Sequence, residues 1–216
     1  MTAVRFCFDY ISPYAYLAWT RIHAVAEATG AEVEPVPVLF AAMLNHHGHK
    51  GPAEIPSKRL YVGKNIVRLA ADLGVPLDIP PTHPFNPLLA LRVSSLPMPA
   101  EVRRRLIDGL YAATWRDGLG VTDPDVVARV AEEAGVTDPL TRATAAENKA
   151  RLKQQTAAAI AAGVFGVPTM LVGDEAELFW GVDSLPHLAR YLEGADPVSP
   201  ELMARWSQIE ASARRG

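Results

Sequence analysis

Apolar and other residues alternate from Val4 to Asp9, with Val4, Phe6 and Phe8 on one side of an extended chain and Arg5, Cys7 and Asp9 on the other. A period of two predicts a β-strand. The period then lengthens. Tyr14, Ala18, Ile22 and Val25 recur at helical spacing behind Ser12-Pro13, and Gly30 stands where a left-handed C-terminal cap belongs. Serine is a favoured N-cap and proline a favoured first helical residue, so a helix is predicted to start at this point. Glu32 to Val38 is extended again. Its two prolines, Pro35 and Pro37, have no N–H to give a ladder, which puts this strand at an edge or leaves it few pairings.

Between about Phe40 and Ala162 the alternation disappears and helical punctuation takes over. Pro56 opens a helix that runs to Gly74, Asn86-Pro87 opens a short one, and Glu101 to Arg116 forms another ahead of Gly118 and Gly120. Asp123-Pro124 and Asp138-Pro139 are two further cap-plus-proline starts, the first helix ending at Gly135 and the second, alanine-rich, at Gly163. Extended character returns at Thr169–Val172, and Glu177–Trp180 can pair back on it across a turn at 173–176. Asp183 or Ser184 then caps a helix through Leu192, and a peripheral helix with a basic end closes the chain. The pattern predicts an α/β protein. One sheet domain, residues 1–40 and 163–216, is split by an all-helical insertion, residues 41–162.

Composition narrows the classes. The 216 residues carry 21 basic and 24 acidic side chains, a net charge of −3. That balance lacks the positive footprint of a nucleic-acid binder. A single cysteine, Cys7, excludes a disulfide framework, and its place in the first strand suits a small buried apolar residue. The uncharged stretch 154–173 is broken by Gly163, Gly166 and Pro168, so no membrane span is expected. MTAVRFCFDY has neither the basic start nor the apolar run of a secretory signal, which points to a soluble protein of a reducing compartment.

Three segments carry candidate chemistry: Phe8 to Tyr14, with Ser12-Pro13-Tyr14; Gly166-Val167-Pro168-Thr169; and Gly181-Val182-Asp183-Ser184. In kind and order they resemble the 2-hydroxychromene-2-carboxylate isomerases, which with kappa-class glutathione transferases form part of the DsbA-like branch of the thioredoxin superfamily. The resemblance spans residues 3 to 193 and implies a thioredoxin-like sheet domain carrying the helical insertion.

A helix N-terminus offers unpaired N–H groups and about half a positive charge, and so favours an anion. Disulfide oxidoreductases of this fold place Cys-x-x-Cys there, whereas Ser12-Pro13-Tyr14-Ala15 cannot exchange disulfides. A serine hydroxyl does not ionise as a thiol does, and no Ser-His-Asp pattern activates it, so its remaining chemical role is to donate a hydrogen bond to another molecule's thiolate. The resemblance implies that this is the thiolate of bound glutathione, with Ser12 catalytic and Pro13 and Tyr14 beside it. The residues alone fit an ordinary helix start equally well.

The resemblance also makes Val167-Pro168 a cis-proline loop whose backbone pairs with an extended glutathione, and it places Asp183 and Ser184 at the γ-glutamyl end. Without it, these read as a turn and a plain N-cap. Ser184 stands where the family has arginine, and His49 replaces an asparagine in Gly48-His49-Lys50-Gly51-Pro52. Lys58 aligns with a lysine near glutathione, and Asn65 stands where aspartate is common. Lys50, Lys58, Arg59, Lys64 and Arg68 form a basic run that suits a small anion or is simply a solvated helix face. His46, His47 and His49 invite a zinc reading, but no further ligand group completes a tetrahedral site, and no metal is expected. Trp19, Trp115 and Trp180 read as core residues, Trp180 alternatively as the wall of an aromatic pocket.

By resemblance the protein is a glutathione-dependent isomerase of an aromatic carboxylate, a cytoplasmic homodimer. A kappa-like transferase and a non-catalytic thioredoxin-fold binding protein are the competing readings.

Overall fold

The computed structural model describes residues 1–174 and 176–210. Strand β1 (Thr2–Phe8) runs parallel to β2 (Ala31–Pro37), and the helix between them, α1 (Pro13–Thr29), makes the crossover that a parallel pair requires. Strands β3 (Thr169–Val172) and β4 (Glu177–Trp180) add antiparallel on the other side of β1, giving the order β2-β1-β3-β4. β2 is therefore an edge strand, with Pro35 opposite Phe6 and Pro37 opposite Phe8, as its missing donors demand. Within the turn expected at 173–176, Glu175 lies outside the described residues, as does the basic end, 211–216.

The two faces of the sheet are covered differently. Val4, Phe6 and Phe8, with Met170 and Val172 of β3, pack against Leu17 and Ile22 of α1 and Leu188 of α9 (Leu185–Leu192). On the opposite face Cys7 and Leu171 meet Met43 of α2 (Phe40–His47) and Ala159 of α8 (Ala146–Ala161), together with Val38, Val164 and Val167. Residues 41–162 are helical throughout their regular structure: α2 and α8 are joined by α3 (Pro56–Leu73), α4 (Leu88–Ser94), α5 (Ala100–Tyr111), α6 (Pro124–Glu133) and α7 (Pro139–Thr144). Leu106, Ile107, Leu110 and Tyr111 of α5 share one apolar cluster with Phe6 and Phe8, and the Tyr111 ring lies 5.9 Å from that of Phe8, so inserted helices reach both faces of the sheet. Trp19 Nε1 donates to Asp108 Oδ1 at 2.6 Å across that contact.

Several local expectations need correction. The helix expected over 101–116 is α-helical only to Tyr111, after which Ala112–Arg116 widens into a π-turn in which Asp117 N–H bonds Ala112 O at 2.9 Å. The helix expected from Asp138 to Gly163 breaks at Ala145, which is extended (ψ 142°). The Thr144 hydroxyl, in the last turn before the break, bonds the carbonyls of Leu140 and Thr141. Asp138 is left-handed (φ 48°) and makes no side-chain cap, whereas Asp123 caps α6 through Asp125 N–H at 2.9 Å. His46 and His47 belong to the last turn of α2, and only His49 follows its left-handed Gly48. Trp180 is not a core residue: it is 52 % exposed, while Trp19 and Trp115 are buried. Among the described residues no helix is long and apolar enough to cross a membrane. The closing helix, α10 (Pro200–Trp206), is short and wholly exposed.

The α5–α6 contact offers a direct check on this packing. A Cβ on Gly109 would sit 2.7 Å from Val130 Cγ1, well inside contact distance. Alanine gains about 1 kcal/mol of helix propensity over glycine, yet overpacking of this kind typically costs about 1–3 kcal/mol. Gly109→Ala is expected to lower the urea midpoint, and the added Val130→Ala to restore it in part. Stabilisation by Gly109→Ala alone would contradict this packing.

Candidate functional site

Helix α1 begins directly behind the end of β1, and the connecting residues fold into a tight turn in which Ser12 N–H bonds Asp9 O at 3.1 Å. Ser12 is the N-cap, extended at φ −94°, ψ 111°, and its Oγ accepts from Ala15 N–H at 3.2 Å. The same hydroxyl donates to Val167 O at 3.3 Å, a long bond for O–H···O. Val167-Pro168 is cis, as expected, and so is His83-Pro84, which nothing in the sequence announced. Pro168 O in turn accepts from Gly181 N–H at 3.0 Å, and Gly181 O from Ser184 N–H at 3.3 Å. The three segments singled out in the sequence are thus joined by one run of hydrogen bonds at one end of the sheet.

Individual residues fall as follows. Pro13 is buried and Tyr14 half-buried, with Asn65 Nδ2 of α3 donating to the Tyr14 hydroxyl at 3.1 Å. Asp183 and Ser184 lie in a 3₁₀ turn, Val182–Ser184, that leads into α9. Neither caps α9 with its side chain, because the Ser184 hydroxyl turns back to Trp180 O. Lys58 and His49 are exposed, and neither is hydrogen-bonded to Ser12, Tyr14 or the cis-proline segment. The rings of His46 and His47 meet edge to face at 4.9 Å, and those of His47 and His49 stack at 5.9 Å. A Cβ on Gly166 would lie 2.7 Å from the Trp180 indole nitrogen, so any larger residue there would push the exposed indole aside.

Two backbone donors in these segments are unpaired. Pro13 has no N–H, and among the described residues nothing accepts from the N–H groups of Tyr14 or Val167. Together with the Ser12 hydroxyl they form a small electropositive corner at a helix N-terminus, suited to an anion and to an extended backbone. Cys7 is buried in β1, and burial pushes its thiol up to about 12, so it supplies no thiolate here.

The DSBA-like thioredoxin domain matches residues 3–193. The chain belongs to that family. It is 30 % identical over 205 residues to a 2-hydroxychromene-2-carboxylate isomerase of Pseudomonas sp. (strain C18), covering 92 % of this chain and 93 % of that protein. It is 26 % identical over 216 residues to glutathione S-transferase kappa 1 of Rattus norvegicus, covering 92 % and 95 %. A solved 2-hydroxychromene-2-carboxylate isomerase superposes with a TM-score of 0.81 at 24 % identity, over 97 % of this chain and all of that one. The resemblance read from the motifs therefore holds, and DSBA-like architecture accounts for the sheet, the crossover helix and the inserted helices together.

Sequence reasoning missed the residues that hold this DSBA-like turn in shape. Asp9 is 1 % exposed, and its two carboxylate oxygens accept from Ile11 N–H at 3.1 Å and from Phe40 N–H at 3.0 Å. The second bond caps α2, which has no local side-chain cap. Phe40 is far along the chain, so only the short-range Asp9-to-Ile11 turn left any trace in the sequence. Trp115 Nε1 donates to Tyr10 O at 2.8 Å, and the His83 ring nitrogen Nε2 pairs with Ile11 O at 2.9 Å.

Burial raises the Asp9 carboxyl from 3.8 to about 7, against the downward pull of the Phe40, Ile11 and Tyr10 N–H groups. The folded protein thus holds this proton more tightly than the unfolded chain. The stabilising contribution is complete below about pH 4 and is lost as pH rises through about 7. The shift corresponds to roughly 4 kcal/mol. Stability measured by urea denaturation should therefore carry a component that falls between pH 4 and 8, and Asp9→Asn should remove it. A component of unchanged slope in the variant would place the titration elsewhere.

Proposed function

We propose that the protein is a glutathione-dependent isomerase of an aromatic carboxylate, interconverting 2-hydroxychromene-2-carboxylate and trans-o-hydroxybenzylidenepyruvate or a close analogue. The observation that carries this reading is the Ser12 hydroxyl, held at the N-terminus of α1 and against the cis-proline loop, with no thiol of the protein's own at hand. Relatives of this chain bear the names of the isomerase and of kappa glutathione transferases over nearly their whole length.

The residues present fit glutathione. Its sulfur would occupy the corner formed by the Ser12 hydroxyl and the Tyr14 N–H, where a full negative charge meets the positive end of α1. The long Ser12-to-Val167 bond leaves a donor that can turn toward that sulfur at small cost. The Val167 N–H would receive the peptide backbone in the manner of an added strand. Asp183 would pair with the γ-glutamyl ammonium, Ser184 would lie at the same end, and Pro13 and Tyr14 would line the sulfur side. When bound, glutathione supplies a thiolate that adds reversibly to a conjugated double bond and leaves after rotation about the resulting single bond.

The protein's part is to keep the sulfur ionised, orient the substrate and stabilise the charge that develops on its oxygen. Lys58, in the first turn of α3, and His49, just past α2, are assigned to the substrate carboxylate or that oxygen. The assembly proposed for the active protein is a cytoplasmic homodimer. The kappa relatives favour one alternative, a transferase that uses the same ionised sulfur on an electrophile that does not leave.

Interconversion of the two aromatic acids with reduced glutathione, followed spectrophotometrically, is the test. Turnover is expected, and Ser12→Ala should lower kcat/KM by about 10²-fold, the usual cost of losing one preorganised donor. Conjugation of an electrophile without isomerisation would favour the transferase, and full activity in Ser12→Ala would remove Ser12 from the chemistry.

A further inference from the structure

All four backbone carbonyls of the turn that presents Ser12 are occupied, two by backbone amides and two by side chains. Asp9 O accepts from Ser12 N–H, and Ser12 O from the amides of Ala15 and Tyr16. The two between them, Tyr10 O and Ile11 O, are met by Trp115 and His83, side chains from 105 and 72 residues away in the inserted helices and their connections. Trp115 is fully buried and part of the main core, so its loss would disturb the whole fold. His83 is different. It sits in the irregular segment before α4, half-buried, with its ring against Trp115 at 5.6 Å and Phe85 at 6.1 Å.

From this arrangement we infer that His83 is a positioning residue: its ring nitrogen fixes the Ile11 carbonyl and thereby sets the Ser12 hydroxyl for the bound sulfur. The inference rests on the glutathione reading given above. Ile11 immediately precedes Ser12, and the peptide plane they share carries both the Ile11 oxygen and the Ser12 N–H that bonds Asp9 O. Holding the Ile11 oxygen at 2.9 Å from the ring nitrogen fixes the backbone from which the Ser12 side chain springs, so its hydroxyl turns toward the sulfur from a set position. A displacement of about 1 Å at a reacting group can cost about 10²-fold in rate, so a contact that defines this plane acts on turnover without touching substrate.

The chemistry of the bond is determined by its surroundings. The groups facing the ring are the Phe85 and Trp115 side chains, the Ile11 carbonyl and, by its charge, Arg59 of α3. Burial and Arg59 lower the ring's proton affinity while the Ile11 carbonyl raises it, and the net direction is down, toward a neutral imidazole. A neutral imidazole has one N–H, which the Ile11 carbonyl requires on Nε2. The connection before α4 thus contributes a specific donor to the backbone of the Ser12 turn.

Two substitutions separate donation from packing. His83→Phe keeps a ring between Phe85 and Trp115 but has no donor, whereas His83→Gln gives up the ring and keeps an N–H that can reach the same carbonyl. The readouts are the pKa of glutathione's thiol in the complex, taken from thiolate absorbance near 240 nm, and the separate values of kcat and KM. With His83→Phe the bound thiol's pKa should rise by about one unit, a tenfold smaller ionised fraction near neutral pH. kcat should fall about 10- to 100-fold with little change in the KM for the aromatic acid. His83→Gln should stay near wild type in both. The reverse order, with Phe active and Gln impaired, would show that the ring only packs and would overturn the inference, as would equal behaviour of the two variants. A wild-type protein that gives no thiolate band with glutathione would remove the functional reading and this inference with it. A wild-type band left unchanged by His83→Phe would remove this inference alone.

Discussion

The N-terminus of α1 must be delivered to the end of β1 with its positive pole open to a ligand, while the backbone around it is enclosed by protein. Those demands conflict, because buried peptide groups need partners and an anion site needs unpaired donors. The turn at Asp9–Ser12 meets both by dividing the labour. Its carbonyls are all taken, two of them by Trp115 and His83, while the N–H of Tyr14 remains free and Ser12 holds only a long bond to Val167 O. Acceptors are locked and donors are left over. The electropositive corner follows from that asymmetry, and no basic side chain is needed to make it.

Asp9 shows what the arrangement costs. A carboxylate nearly free of solvent contact is unfavourable in a protein interior, and burial raises its proton affinity until it titrates near neutrality. It persists because its oxygens cap two segments at once, the Ser12 turn and the first amide of α2. The helix that leads to His49 is thereby tied to the helix that starts at Ser12. A neutral apolar residue at this position would leave two backbone donors unpaired.

Much of this was legible in the sequence wherever the physics is local. Alternation marked β1, the Ser12-Pro13 cap marked α1, and Pro35 and Pro37 marked an edge strand, since each depends on neighbouring residues alone. The break at Ala145 and the π-turn at Ala112–Arg116 were not legible. An alanine-rich run carries no mark of an interior break, and a turn widened by one residue keeps the same helical pattern of apolar positions. The site divides in the same way. Ser12, Val167, Pro168, Asp183 and Ser184 stand out as motifs and come together in space. The partners that shape their backbone, Asp9, His83 and Trp115, act over long sequence separations that no periodicity records. Trp180 misled for a related reason: tryptophan is usually buried, but here it lies on the edge strand β4 against Phe165.

The central claim is that the corner at Ser12 holds an anionic sulfur. Calorimetric titration at about pH 7.5 with reduced glutathione and with S-methylglutathione, repeated in buffers of different ionisation enthalpy, tests it most directly. A free thiol with a pKa of about 8.5 is mostly protonated at that pH, so binding it as the thiolate must release a proton to the buffer, which the methylated ligand cannot do. The account predicts that reduced glutathione binds more tightly than S-methylglutathione and releases close to one proton more. Equal affinities with no difference in proton release would contradict it.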